Sequence, residues 1–337
     1  MNPRLEKILP WCGIALLIAG LAAAIIDPTA WAEAWLPAFV LISMIPIGSL
    51  GLLMVYGITG GRWGREMAPT LVAAARCLPL LIPAFLPILI FRGRLPHWPL
   101  EGAAPDVARL YLNPFIFDLR SLVALGVWSY FAWSGIWRNQ ATAAAGLVVH
   151  LILVSIIPGD WVLTLSPGST STGFGLGFGI EQMFAALGLV ALLATQGSDP
   201  RANRDLGGLI VTTLLAVVYF LYMQFLIEWY GDVPEKVKWF TSRNMGAWPF
   251  VDLLAFLVGA AVPFLAILRP DVRRSPTRMR WVGGFILLGV TLHVTWLTIP
   301  PSGLGALGPA IITVLVLAAF LLATQLLFPD APSEQPA

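Results

Sequence analysis

Leu36 to Ile58 reads LPAFVLISMIPIGSLGLLMVYGI, twenty-three consecutive residues without one Asp, Glu, Lys or Arg. A helix of that length extends about 35 Å, enough to cross the roughly 30 Å of hydrocarbon in a bilayer. Its apolar residues run all the way round the helix, so no side is left for water. The stretch therefore reads as a membrane span, and the rest of the chain repeats it. Hydropathy and helix breakers mark ten spans in all: Leu9 to Ile26, Leu36 to Ile58, Leu71 to Phe91, Phe115 to Ile136, Ala141 to Val162, Phe174 to Thr195, Leu206 to Tyr230, Ala247 to Leu268, Trp281 to Ile299 and Leu304 to Phe328.

Composition agrees with that reading. Charged residues make up 11% of the 337 and hydrophobic ones 58%, whereas soluble domains carry roughly 25% charge. The longest polar stretch, Arg92 to Pro114, is too short to fold alone. Residues 1–329 are thus expected to form one all-α polytopic membrane domain, followed by a disordered acidic tail over 330–337. Arg4 and Lys7 precede the first span, and no small-residue cleavage site follows it, so it reads as retained.

Lys and Arg in the loops set the orientation. Twelve lie on the side of the N-terminus, five of them between Arg269 and Arg280, against six on the other side. Both termini are expected in the cytoplasm, with the uncharged loops around Ala30, Gly168 and Ser302 facing outward.

Several chemistries are excluded. Net charge is only +2, and no basic stripe interleaves with aromatics, so nucleic acid is not a partner. Cys12 and Cys77 are too few for an iron–sulfur cluster or a thiolate zinc site. No Walker loop, HExxH signature or nucleophile with a spaced base is present, so no residue is assigned a catalytic role. His150 and His293 could in principle ligate haem, but lone histidines in an apolar bundle are more often structural or proton-carrying. No haem and no metal are expected in the chain.

Ionisable groups inside a bilayer cost about 2.5–3.5 kcal/mol each on insertion scales, so their depth carries information. In the expected orientation Asp118, Arg120, Asp160, Glu181, Glu228, Asp252 and His293 fall in the outer halves of their spans. His150 lies near the middle, and only Arg76 lies in the inner half. The pattern suits a polar pocket or proton half-channel open to the outside. Asp160 and Glu181, supported by His150 and Arg120, are expected to line it. Gly173, Gly175, Gly177 and Gly179 do not fit the phosphate-binding GxGxxG spacing and read as a close helix contact. Trp31, Trp35, Trp98, Trp161, Trp229, Trp239, Trp248, Trp281 and Trp296 lie at span ends, where interfacial belts form.

Several ordered stretches share one likeness. They are LMVYGITGGRWG from Leu53 to Gly64, Tyr111-Leu112-Asn113-Pro114, Gly159-Asp160-Trp161, Ser166-Pro167 and Ser171-Thr172-Gly173. Asp205-Leu206-Gly207, Gln224 to Trp229 with Gly231, Pro234 and Glu235, and Pro263-Phe264 follow. Together they resemble the second large membrane subunit (ActF type) of alternative complex III, a quinol-oxidising respiratory assembly. That subunit is itself similar to the NrfD and polysulfide-reductase membrane subunits. The likeness covers about Leu36 to Pro300. It implies two four-helix bundles, approximately 36–162 and 174–299, with flanking helices 9–26 and 304–328.

The likeness also implies a place in a bacterial cytoplasmic membrane and a set of partners. These are an NrfD-like sister subunit carrying the main quinol site, an iron–sulfur protein and c-type cytochromes, with a terminal oxidase as a further neighbour and lipids around them. No cofactor is implied in this chain. A quinone is the one redox molecule brought near it, and haem c and iron–sulfur clusters belong to the partners. Asp160, Glu181, Arg76, Arg120 and Glu228 occupy positions matching the family's buried polar residues. One departure is Tyr56-Gly57 before the Thr59-Gly60-Gly61 turn, where members often carry histidine. Competing readings are a stand-alone secondary transporter whose carboxylates couple protons to substrate, with Pro46 and Pro83 as candidate helix breaks, and a membrane scaffold without transport.

Overall fold

The computed structural model describes residues 28–91, 111, 113–165, 171–193, 200–231, 234–300, 308 and 311. Of these 91% are helical and none lies in a strand. Among the described residues eight helical stretches are long and apolar enough to cross a membrane, two of them, 62–91 and 248–268, built from consecutive shorter helices. The chain is an all-α, multi-pass membrane protein. The expected spans 9–26 and 304–328, the tail 330–337, Cys12, Trp98, Ser166-Pro167 and the loops at Gly168 and Ser302 lie outside the described residues, apart from 308 and 311.

Helix α1 (Pro28–Thr59) begins eight residues before the apolar run that announces it, so Ala30 is helical rather than in a loop. Pro37 and Pro46 lie within it without ending it. It is followed by α2 (Arg62–Ala75) and α3 (Leu78–Phe91), then α4 (Pro114–Ser134) and α5 (Gln140–Trp161). The expected span from Leu71 to Phe91 is thus part of a longer, broken one. Pro83 and Pro87 sit inside α3, and the break falls at Arg76-Cys77. Pro79 explains it: proline cannot donate to the carbonyl of Ala75, and it disfavours helical geometry at the residue before it. The backbone tightens there, with Cys77 N–H donating to Ala74 O at 3.1 Å.

The second half comprises α6 (Phe174–Leu192), α7 (Pro200–Tyr230), the short α8 (Pro234–Arg243) and α9 (Trp248–Phe256). A π-helical turn, Leu257–Ala261, leads from α9 into α10 (Val262–Leu268), followed by α11 (Pro270–Arg274) and α12 (Pro276–Thr298). In the wide turn Val262 N–H donates to Leu257 O, five residues back. Pro263, next in line, has no N–H to give to Gly259, which removes one bond that would restore the ordinary pitch.

Packing centres on α1 and α6. Helix α1 touches α2, α3 and α5 on one side and α6 on the other, and α6 also packs on α5, α7 and α12. The glycines at the head of α6 make the contact close. A Cβ on Gly175 would stand 2.4 Å from Ser155 O, and one on Gly179 would stand 3.0 Å from Val154. Gly177 packs instead on Phe220 of α7, and a Cβ on Gly173 would meet nothing within 4 Å, so three of the four glycines make the expected close contacts.

Caps fix several starts. The Asn113 side chain accepts from Phe115 N–H at 2.9 Å, and that of Asn139 accepts from Ala141 N–H at 2.9 Å. Gly135 ends α4 in the left-handed region at φ 67°, where glycine carries no Cβ penalty.

Most span-end tryptophans are structural. Trp31, Trp35, Trp161, Trp239, Trp248 and Trp296 are buried, and only Trp229 and Trp281 of the expected belt stand exposed. Trp35 donates to Ala84 O at 2.9 Å, and Trp161 donates to Ser121 Oγ at 3.0 Å. An indole at a span end fits a protein acceptor as well as a lipid headgroup, and position alone does not distinguish the two.

Candidate functional site

Apart from Arg76 and His150, the intramembrane ionisable groups lie toward the starts of α4, α6 and α9 and the ends of α5, α7 and α12. They form two clusters rather than one pocket. In the first, Arg120 on α4 grips Asp160 on α5 with two parallel bonds, Nε to Oδ2 at 2.7 Å and Nη2 to Oδ1 at 2.9 Å. Its third arm, Nη1, donates to Tyr111 O at 2.9 Å, and the guanidinium lies 4.0 Å above the Tyr111 ring. Partial burial and then the Asp160 carboxylate push the Tyr111 phenol up to about 12, against the opposing pull of Arg120. This cluster is closed, with each arm of the arginine satisfied. Asp118 lies half-buried, two residues ahead of Arg120.

The second cluster pairs Glu181 on α6 with His293 on α12. Oε1 and Nδ1 stand 2.7 Å apart, and both side chains are buried. The imidazole stacks on Trp296 with centroids 6.0 Å apart and planes 17° from parallel. With Nδ1–H donating to the carboxylate, Nε2 is the ring nitrogen left to accept or release a proton. A carboxylate and an imidazole in this contact can share one proton, and the pair is enclosed. It borders a cavity of about 850 Å3 between α6, α7, α8, α9 and α12, which Glu228, Asp252 and Arg243 also line.

The cavity follows from the fold around it. Gly259 in the π-helical turn and Gly289 on α12 meet backbone to backbone, since a Cβ on Gly289 would lie 2.1 Å from Gly259 Cα. Helix α9 is therefore drawn onto α12. Helix α7 instead meets α10 and α11 and has little contact with α9. The space between them is the cavity. A π-helical turn next to such a space is a frequent mark of a functional site.

His150 belongs to neither cluster. It is 1% exposed, lies edge-on to Trp128 at 6.1 Å, and neither ring nitrogen has a hydrogen-bond partner among the described residues. A Cβ on Gly51 would come within 2.9 Å of its Nε2, so α1 passes tightly over it. Ser49 Oγ and Gln182 Oε1 are likewise buried without partners. Arg76 sits half-buried at the helix break, away from both clusters. The grouping of Asp160 and Glu181 with His150 and Arg120 is therefore divided three ways: Asp160 with Arg120, Glu181 with His293, and His150 apart.

Sequence reasoning missed Arg243, Trp296 as a site residue, and Tyr111. Arg243 entered only as a loop charge. It is 1% exposed, donates to Trp239 O at 3.2 Å and Leu297 O at 2.8 Å, and lies 4.1 Å over the Trp239 ring. The available signal was Trp239 four residues before Arg243, a spacing that places both on one helix face. Among the described residues no three of His, Cys, Asp and Glu converge as a metal site. No model of a known protein family matches the sequence, and no curated protein matches it closely enough to count as a relative.

Proposed function

We propose that the chain is an integral subunit of a quinol-oxidising electron-transfer complex of the alternative complex III type. In this reading it supports the assembly and exchanges protons on the outer half of a bacterial cytoplasmic membrane. The observation that carries the mechanism is the buried Glu181–His293 pair beside a cavity that Glu228 and Asp252 also line. A carboxylate and an imidazole in contact form a site that holds or passes one proton without a free charge in hydrocarbon. The excess of basic residues on the opposite side supports both termini in the cytoplasm, with the pair facing outward. The family resemblance supplies the partners: the sister membrane subunit with the main quinol site, the iron–sulfur protein, the c-type cytochromes and a terminal oxidase.

Purification of the tagged chain from its native membranes tests the reading. Haem-containing and iron–sulfur subunits should come with it in fixed ratio, and a chain that purifies alone while moving a solute would establish the transporter reading instead. In the isolated assembly, Glu181→Gln keeps the shape of the side chain and removes its ionisable proton. It should slow quinol oxidation or lower its proton yield about tenfold or more, within the range of general acid–base contributions, with assembly unchanged. Wild-type turnover and proton yield in this variant would leave Glu181 a packing role only.

A further inference from the structure

The cavity beside Glu181 and His293 has a chemically one-sided lining. Three carboxylates line it, Glu181, Glu228 and Asp252, against one arginine, one histidine already bonded to Glu181, and no lysine among its described residues. That arginine, Arg243, is turned into the protein: it is 1% exposed, donates to two backbone carbonyls and lies over the Trp239 and Trp296 rings. Asp252 is half-buried, has no hydrogen-bonded partner among the described residues, and interacts electrostatically with the His293 imidazole, which already bonds Glu181. Such a carboxylate within a membrane span is costly unless a cation joins it.

The walls are aromatic. Tyr222, Phe225, Trp229, Phe240 and Trp296 line the same space, and ring faces attract ammonium groups. Trp296 Nε1 is buried with no acceptor among the described residues, a donor that an ester or phosphodiester oxygen next to an ammonium would satisfy. The opening lies on an exposed apolar face. Tyr222 and Phe225 on α7 and Leu253 and Phe256 on α9 form its rims and are 44–58% exposed. A volume of about 850 Å3 is within the range of small-molecule sites.

We infer that this cavity binds a membrane-dissolved amphiphile with an ammonium head, its charge against Asp252 and the aromatic wall and its tail leaving between α7 and α9. The inference rests on the cavity alone and is independent of the respiratory reading. The ammonium has two sources, an aminophospholipid or a single-chain amine, and Trp296 Nε1 favours the former.

The test uses native membranes holding the full chain. A photoactivatable long-chain primary amine is compared with the same probe carrying a hydroxyl in place of the amine. The amine should label peptides from α7, α9 and α12, and the alcohol should label them about tenfold less. Asp252→Asn should lower amine labelling about tenfold at unchanged protein yield, and Asp252→Glu should restore it. Trp296→Phe, which keeps a ring and removes the donor, provides a second variant should the first fail to accumulate, and it should weaken labelling as well. Protection by phosphatidylethanolamine but not phosphatidylglycerol assigns the phospholipid, and protection by long-chain amine alone assigns the single-chain source. Equal labelling by amine and alcohol would overturn the inference in favour of a hydroxylated ligand such as a quinol. Amine labelling that is unchanged in both variants would overturn it too, as would no labelling of these helices by either probe, the result of a cavity filled by another segment or subunit.

Discussion

Arg120→Ala is expected to destabilise the protein by about 3–5 kcal/mol, the scale on which one partner of a buried ion pair is removed. Asp160 is 1% exposed, and Arg120 holds both of its oxygens. Once the arginine is gone, a carboxylate remains enclosed between α4 and α5 without its counter-charge. The loss should therefore come from stranding the acid, not from the attraction alone. Asp160→Asn leaves the arginine partly exposed and still bonded to Tyr111 O, so it should cost less than Arg120→Ala. Replacing both partners with leucine should cost less again, because neither charge is left unpaired. Thermal unfolding of the purified protein in detergent measures all three. A loss under about 1 kcal/mol for Arg120→Ala, the range of solvent-exposed pairs, would mean that water reaches Asp160.

The same cluster shows what the sequence carries and what it does not. The spans were legible because uncharged runs such as Leu36 to Ile58 have few alternatives to crossing a membrane. The break in the third span was less so: proline marks where a bond is lost, but α1 absorbs Pro46 within its core while Pro79 coincides with the break at Arg76-Cys77. Depth along the spans assigned most ionisable groups to one end of the bundle, since alternating helices bring their ends together. It could not pair them, because Glu181 and His293 lie 112 residues apart and no local pattern links them.

One clue to the pairing was nevertheless present. At about 100° per residue, Glu181 points some 200° round the helix from Gly179. The glycine stripe that seats α6 on α5 therefore turns Glu181 away from Asp160 and toward the second half of the chain. The tryptophans illustrate the opposite case. Trp161 and Trp229 are equally apolar and equally terminal in their spans, yet one is buried and the other is 69% exposed. Only the arrival of another helix decides between them.

Helix α6 is placed for this role by its contact with α1, and Gly48→Ala is expected to break that contact. A Cβ at Gly48 would stand 1.9 Å from Gln182 O, 2.2 Å from Gln182 C and 2.6 Å from Met183 N. All three are backbone atoms, so no side-chain rotation relieves the clash, and one helix must move away from the other. Overpacking typically costs 1–3 kcal/mol, and a contact of this kind should lie at or above about 3 kcal/mol. Gly126→Ala is the control, since a Cβ there meets nothing within 4 Å. In the interior of α4 it should be neutral or stabilise by up to about 1 kcal/mol. The displacement also bears on function, because Glu181 immediately precedes the clashing residue and its 2.7 Å contact with His293 leaves little room for a shift. On the proposed function, Gly48→Ala should therefore lower both the unfolding temperature and the proton yield of the assembly, whereas Glu181→Gln lowers only the second. Thermal stability of Gly48→Ala within about 0.5 kcal/mol of the Gly126→Ala control, the scatter of surface substitutions, would show that α1 and α6 are not in backbone contact at this crossing.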